Sequence, residues 1–213
     1  NRALSSPDIT LLYSAGRPSL SEGLVGHWKL DETTGSVIFD SSGNGNNGVW
    51  TDGSGNDVGE ETVVAMVETG LDFDGSNDLV NLGNDASLQL IGDMSVSLWV
   101  NFDSLTTRQR ILNYQASGET LATNDLYSLA LSSSSPYNDL VVGHENGAGI
   151  NSGQASFDTN LSAGAWYHVA LVRDSSNTQT SLYLNNTLIS TSSYANNPDG
   201  GSAGSLYLGY DVY

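Results

Sequence analysis

An all-β sandwich is the fold class this sequence predicts, and three observations carry the prediction. Apolar and polar residues alternate at period two in segment after segment, a sustained helical period is almost absent, and Gly, Asn and Asp turn signals recur along the chain. In Ser95 to Phe102, Val96, Leu98, Val100 and Phe102 share one face and Ser95, Ser97, Trp99 and Asn101 the other. Trp166 to Arg173 sets Tyr167, Val169 and Leu171 against Trp166, His168 and Ala170, which is the pattern of a central strand covered on both sides.

Further strands are expected at Leu24 to Leu30, Val37 to Phe39, Val63 to Val67, Leu71 to Phe73, Leu79 to Leu82, Arg110 to Tyr114 and Tyr127 to Leu131. Leu140 to Gly143, Ser181 to Leu184, Leu188 to Ser190 and Ser205 to Gly209 complete the set. Asn185-Asn186 reads as a tight hairpin turn, and Asp74-Gly75 and Ser42-Gly43-Asn44-Gly45 as turns that tolerate positive φ. The acidic, Gly-rich stretch Asp52 to Glu61 reads as a surface loop. Ser6-Pro7-Asp8 starts the one short helix expected, with Ile9, Leu11 and Leu12 on its apolar side.

The 213 residues, 38% of them hydrophobic, are enough for one substantial core. A formal charge of −18, from 24 acidic against six basic side chains, repels phosphate backbones and anionic membranes, so neither nucleic acid nor membrane insertion is expected. The same acidity suits calcium, a hard cation that takes oxygen ligands, and equally suits a surface kept soluble by charge. With no cysteine there is no disulfide framework and no thiolate chemistry. Richness in Asn, Gly, Ser and Thr with a single lysine points to a secreted or cell-surface setting.

Six phrases in order carry a family resemblance. They are Gly26-His27-Trp28-Lys29-Leu30-Asp31-Glu32, Asp40 through Gly48, Leu71-Asp72-Phe73-Asp74-Gly75-Ser76-Asn77-Asp78-Leu79-Val80, Ser95 through Val100, Trp166 through Val172, and Leu184-Asn185-Asn186. Together they resemble a laminin-G-like, concanavalin-A-like jelly roll of the kind found in bacterial surface proteins. The resemblance implies two antiparallel sheets packed face to face, one of them concave, with loops at the rim. Residues 1–20 look like the tail of such a domain, and residues 21–213 like a domain without its usual last strand. A tandem array, a circular permutation and a strand given to a neighbouring copy each account for that order.

No strand carries the closely spaced carboxylates that glycoside hydrolysis requires. His27, His144 and His168 stand in no zinc-binding spacing, and there is no Gly-x-Ser-x-Gly elbow, so no catalytic residues are expected. Calcium is the expected cofactor. Asp40 and Asn44, with Asn46 and Asn47, offer oxygen ligands on a tight path, and Asp74 and Asp78 do so in a second turn; an Asx-turn explains either as well. Asn124-Asp125 ahead of Tyr127-Ser128-Leu129, and Asp211 after Leu208-Gly209-Tyr210, carry a more distant resemblance to pentraxins, which implies a rim calcium site at Asn124, Asp125 and Asp211. Trp99, Tyr137 and Tyr210 are candidate stacking platforms, as is Trp50, whereas Trp28 and Trp166 are read as core or near-core residues. The expected function is calcium-dependent binding or adhesion to an extracellular glycan or protein. The alternative is a structural repeat that assembles with copies of itself through open strand edges.

Overall fold

The computed structural model describes residues 3–15, 23–53, 57–116, 125–144, 154–198 and 204–209. Among these, fourteen strands form an eight-stranded sheet, a four-stranded sheet and a separate two-stranded hairpin. The large sheet runs β1 (Val37–Ile38), β2 (Gly48–Thr51), β5 (Leu79–Gly83), β14 (Gly204–Leu208), β7 (Arg110–Ala116), β8 (Asp125–Leu131), β9 (Leu140–Gly143) and β10 (Ala155–Phe157). The small sheet runs β13 (Thr187–Ser193), β12 (Gln179–Leu184), β11 (Trp166–Asp174) and β6 (Met94–Asn101), and the hairpin is β3 (Thr62–Val64) with β4 (Thr69–Leu71). All pairs in the described residues are antiparallel.

Alternation along each strand builds the core between the sheets. Val80, Leu82, Leu112, Tyr114, Tyr127, Leu129, Leu131, Leu140, Val142 and Leu206 from the large sheet meet Val96, Leu98, Val169, Leu171, Leu182 and Leu184 from the small one. The expected two-sheet antiparallel sandwich is therefore the architecture observed, with β11 its central small-sheet strand. Asn185 and Asn186, at φ 48° and 67°, join Leu184 to Thr187 in the expected two-residue turn.

Several elements differ from expectation. Leu24 to Leu30 is apolar enough for a strand, yet it pairs with the rest of the molecule at one isolated bridge, Trp28 to Asp40. Side chains of the 40–48 loop occupy its backbone groups instead. Trp50 is not at a surface platform: it is fully buried, 5.1 Å from the ring of Phe73 in an edge contact. Two residues earlier on the same strand face, a Cβ at Gly48 would stand 2.6 Å from Leu82 and 2.7 Å from Val80, which is why glycine stands there. The short strands β2 and β10 were not expected from the sequence, and Val58–Glu60 forms a 3₁₀ turn within the expected loop.

The helix α1 (Ser6–Ala15) is longer than the single turn expected. The Asp8 carboxylate accepts the Ser5 N–H and hydroxyl at 2.8 Å each, the carboxylate half of a capping box at the first turn. Ile9, fully buried, packs on Ala170 and Val172 of β11, with Leu4 and Tyr183 beside it, and the Leu4 N–H donates to Ser95 Oγ at 3.1 Å. The helix thus covers part of the outer face of the small sheet. Among the described residues no helix is long and apolar enough to cross a membrane.

Candidate functional site

The outer face of the large sheet carries a continuous row of side chains. Antiparallel register places Val37 of β1 opposite Val49 of β2, Val49 opposite Asn81 of β5, and Asn81 opposite Tyr207 of β14. Tyr207 then faces Asn113 of β7, Asn113 faces Ser128 of β8, and Ser128 faces Gly143 of β9. Each member projects away from core neighbours such as Val80 and Leu82, Leu112 and Tyr114, or Tyr127 and Leu129.

Exposure falls along the row. Val37 and Val49 are 41% and 50% exposed, Asn81 and Tyr207 are half-buried, and Asn113 and Ser128 are 1% and 8% exposed. The Asn81 carbonyl oxygen accepts the Gly83 N–H at 2.9 Å, which fixes the amide. Asn113 is different: neither its amide oxygen nor its amide nitrogen has a hydrogen-bond partner. An unmade hydrogen bond on a buried polar group costs about 1–3 kcal/mol, so an amide with both ends unpaired in a strand needs a reason. At Gly143 a Cβ would lie 2.8 Å from Ser128 Oγ, so glycine leaves this hydroxyl uncrowded.

The two acid turns singled out in the sequence are built in opposite ways. One oxygen of Asp40 accepts the His27 N–H at 2.9 Å and the Ser42 N–H at 2.8 Å; the other accepts the Ser42 hydroxyl at 2.8 Å and the Asn46 N–H at 3.0 Å. Burial pushes this carboxyl up, but the hydrogen bonds from Ser42, His27 and Asn46 outweigh it and hold the group below the ordinary aspartate value. Asn44 donates to the carbonyls of Leu24 and Val25 at 2.7 and 3.1 Å, and Trp28 Nε1 donates to the Asn46 carbonyl at 2.7 Å. The loop is a strap that ties down residues 24–28.

At the second turn, Asp78 is buried and one of its oxygens accepts the Asp74 N–H at 2.7 Å, while Asp74 accepts the Ser76 N–H at 2.7 Å. Burial, and then the charges of Asp74, Asp52 and Asp72, raise the Asp78 carboxyl, despite the Asp74 hydrogen bond. Glu61 is raised by burial and by the same acids. Among the described residues no three His, Asp or Glu side chains converge as a metal cage, so a cation at either turn would draw on carbonyl and amide oxygens.

Trp99 lies on the opposite side of the molecule from the row, on the outer face of the small sheet. It is half-buried, its ring centroid 5.3 Å from that of His168, whose Nε2 is 2.9 Å from Ser97 Oγ. Tyr137 is half-buried in the turn between β8 and β9, at φ 56°. Asn124, Tyr210 and Asp211 lie outside the described residues, as does the side chain of Asp125, whose backbone opens β8. Among the described residues, the sequence-predicted ones are thus spread over separate regions, apart from Asp74 with Asp78 and Asp40 with Asn44.

Residues 74–212, more than half of the chain, match the family described as the concanavalin A-like lectin/glucanases superfamily. The chain belongs to this superfamily. No curated protein matches it. Solved structures share the superfamily fold. Domain 4 of AbnA, a GH43 extracellular arabinanase from Geobacillus stearothermophilus in complex with arabinotriose, is 21% identical over 89% of this chain and 84% of its own, with a TM-score of 0.62. The binding domain of Paraclostridial Mosquitocidal Protein 1 is 15% identical over 84% of this chain and 44% of its own, with a TM-score of 0.55. Botulinum neurotoxin type C, whose cell entry is described as dependent upon interaction with two ganglioside molecules, is 14% identical over 84% of this chain and 43% of its own, with a TM-score of 0.53.

In this member of the superfamily, Asn81, Tyr207, Asn113 and Ser128 escaped the sequence reading. A usable signal was present: Asn113 and Ser128 are polar residues set inside apolar strands, between Leu112 and Tyr114 and between Tyr127 and Leu129. The row offers one aromatic ring, amide donors and acceptors, and a hydroxyl. It includes no carboxylate.

Proposed function

We propose that the chain is a non-catalytic carbohydrate-binding module acting outside the cell, with its ligand lying across the outer face of the large sheet, over Tyr207 and between Asn81 and Asn113. The observation that carries this reading is the buried, doubly unpartnered amide of Asn113, next in register to an aromatic ring on a face whose other half is open. A sugar is complementary to such a surface. Its C–H face stacks on a ring, and each hydroxyl both donates and accepts, which is what a primary amide asks of a partner. The superfamily fold, shared with an arabinanase domain held in complex with arabinotriose, supports the same reading. Calcium enters the proposal at the Asp74–Asp78 turn, where carboxylates crowd one another, rather than at Asp40, whose oxygens already take four donors.

The test is a glycan screen followed by calorimetric titration of the best oligosaccharide. Asn113→Ala and Tyr207→Ala are each expected to weaken binding about tenfold or more, equivalent to about 1.4 kcal/mol. Tyr207→Phe keeps the ring and should stay near the wild type. Unchanged affinity in both alanine variants, with folding verified by near-ultraviolet circular dichroism, would remove the ligand from this face.

A further inference from the structure

We infer that the saccharide taken by this face is uncharged, and that the acids at one end of it act as a filter against sialylated, uronic and sulfated glycans. This rests on the binding reading above and adds the class of ligand.

The row itself runs Val37, Val49, Asn81, Tyr207, Asn113, Ser128 and Gly143, with no cation and no acid. A sugar carboxylate or sulfate is bound most effectively by a forked guanidinium. Arg110, the register partner of Ala130, stands near the buried half of the row, but it is only 6% exposed and already engaged within the protein. It offers no open fork to an incoming anion.

Negative charge gathers at the end of β2 and β5. Asp52 is three residues beyond Val49 and Asp78 three residues before Asn81, so both begin about 10 Å from the row at 3.3 Å per residue. Asp72, Asp74 and Glu61 belong to the same group, since their charges and that of Asp52 act on Asp78 or on one another. An anionic ligand over Tyr207 enters that field, and the net charge of −18 acts in the same sense. A neutral oligosaccharide is untouched by it. Two carboxylates at this range, joined by the other three acids of the group, disfavour one added negative charge by up to about tenfold at low salt, and screening removes most of the effect near 1 M.

The experiment is a printed array holding neutral oligosaccharides beside their sialylated, uronic-acid and sulfated counterparts. It is probed with the whole chain in chelator at about 0.01 M and about 1 M salt. At low salt the signals should fall on neutral members, with acidic counterparts about tenfold weaker, and the gap should narrow at high salt. Asp52→Asn with Glu61→Gln should narrow it at low salt while leaving affinity for the neutral ligand unchanged; Asp52→Asn, alone, is the variant to use if that pair does not fold. Added calcium should narrow the gap in the same direction, since a cation on these acids cancels part of their field. Acidic counterparts bound as tightly as neutral ones at low salt, with Tyr207→Ala abolishing both, would overturn the filter and leave the glycan site standing. Silence across the whole array, in chelator and with added calcium alike, would overturn the site and the filter together.

Discussion

Two turns of nearly the same composition, Asp40 to Gly48 and Asp74 to Asp78, are held by opposite electrostatics. Each offers Asp, Asn, Gly and Ser on a tight path. In the first, one carboxylate gathers four donors from three residues and ties the 24–28 segment to the sandwich. In the second, a buried carboxylate with a backbone N–H for a partner sits in the field of Asp74, Asp52 and Asp72. The contrast teaches that an oxygen-rich turn is not in itself a cation site. What matters is whether the protein's own N–H groups have already done the cation's work.

The largest effect expected from this contrast is on folding. Asp40→Ala removes four charge-assisted hydrogen bonds on a half-buried group and should destabilise the domain by about 3 kcal/mol in urea unfolding. Asp40→Asn, which keeps one acceptor oxygen, should fall between. A loss below about 0.5 kcal/mol for the alanine variant, the level of an ordinary surface change, would mean the strap is not held by this carboxylate. Next in size is calcium. An ion that binds only the native state at 100 times its dissociation constant adds about 2.7 kcal/mol. The melting temperature should therefore rise with calcium and fall back with chelator, and Asp78→Asn should abolish the rise. A calcium response that survives Asp78→Asn moves the ion away from this turn.

The sandwich was legible in the sequence because β6 and β11 alternate without interruption, and because Asn185-Asn186 can be little other than a hairpin turn. Leu24 to Leu30 was misread for a physical reason: its apolar residues suit a strand, but the Asp40 and Asn44 side chains take its backbone groups before another strand can. Trp50 was misread because its strand has only four residues and borders the acidic loop, which left too short an alternation to show that it faces the core. The candidate site was the least legible part. Asn81, Tyr207, Asn113 and Ser128 lie on four strands that are far apart in sequence, and only register brings them together. The aromatic signal pointed instead to Trp99 on the other sheet and to Tyr210, three residues beyond Tyr207.

Titration provides the finest test of the contrast. Asp40 is held below its ordinary value of 3.8, so its stabilisation is complete above pH 3.8 and is lost as pH falls through the lower folded-state value. Buried His144 acts in the same sense. Burial, and then the nearby Arg173 charge, lower it to about 4, so its contribution is present above its ordinary 6.5 and is lost as pH falls through about 4. Asp78 runs the other way. With its carboxyl raised above 3.8, it favours the fold below that pH, and this contribution disappears as pH rises through the folded-state value. Carboxyl-carbon NMR should place the Asp40 midpoint below 3.8 and that of Asp78 above it; midpoints on the same side would end the distinction. At neutral pH Asp78→Asn then relieves repulsion while its amide oxygen still accepts the Asp74 N–H. A gain of up to about 1 kcal/mol is expected in chelator, shrinking as pH is lowered toward the Asp78 midpoint, because protonation relieves the same repulsion in the wild type.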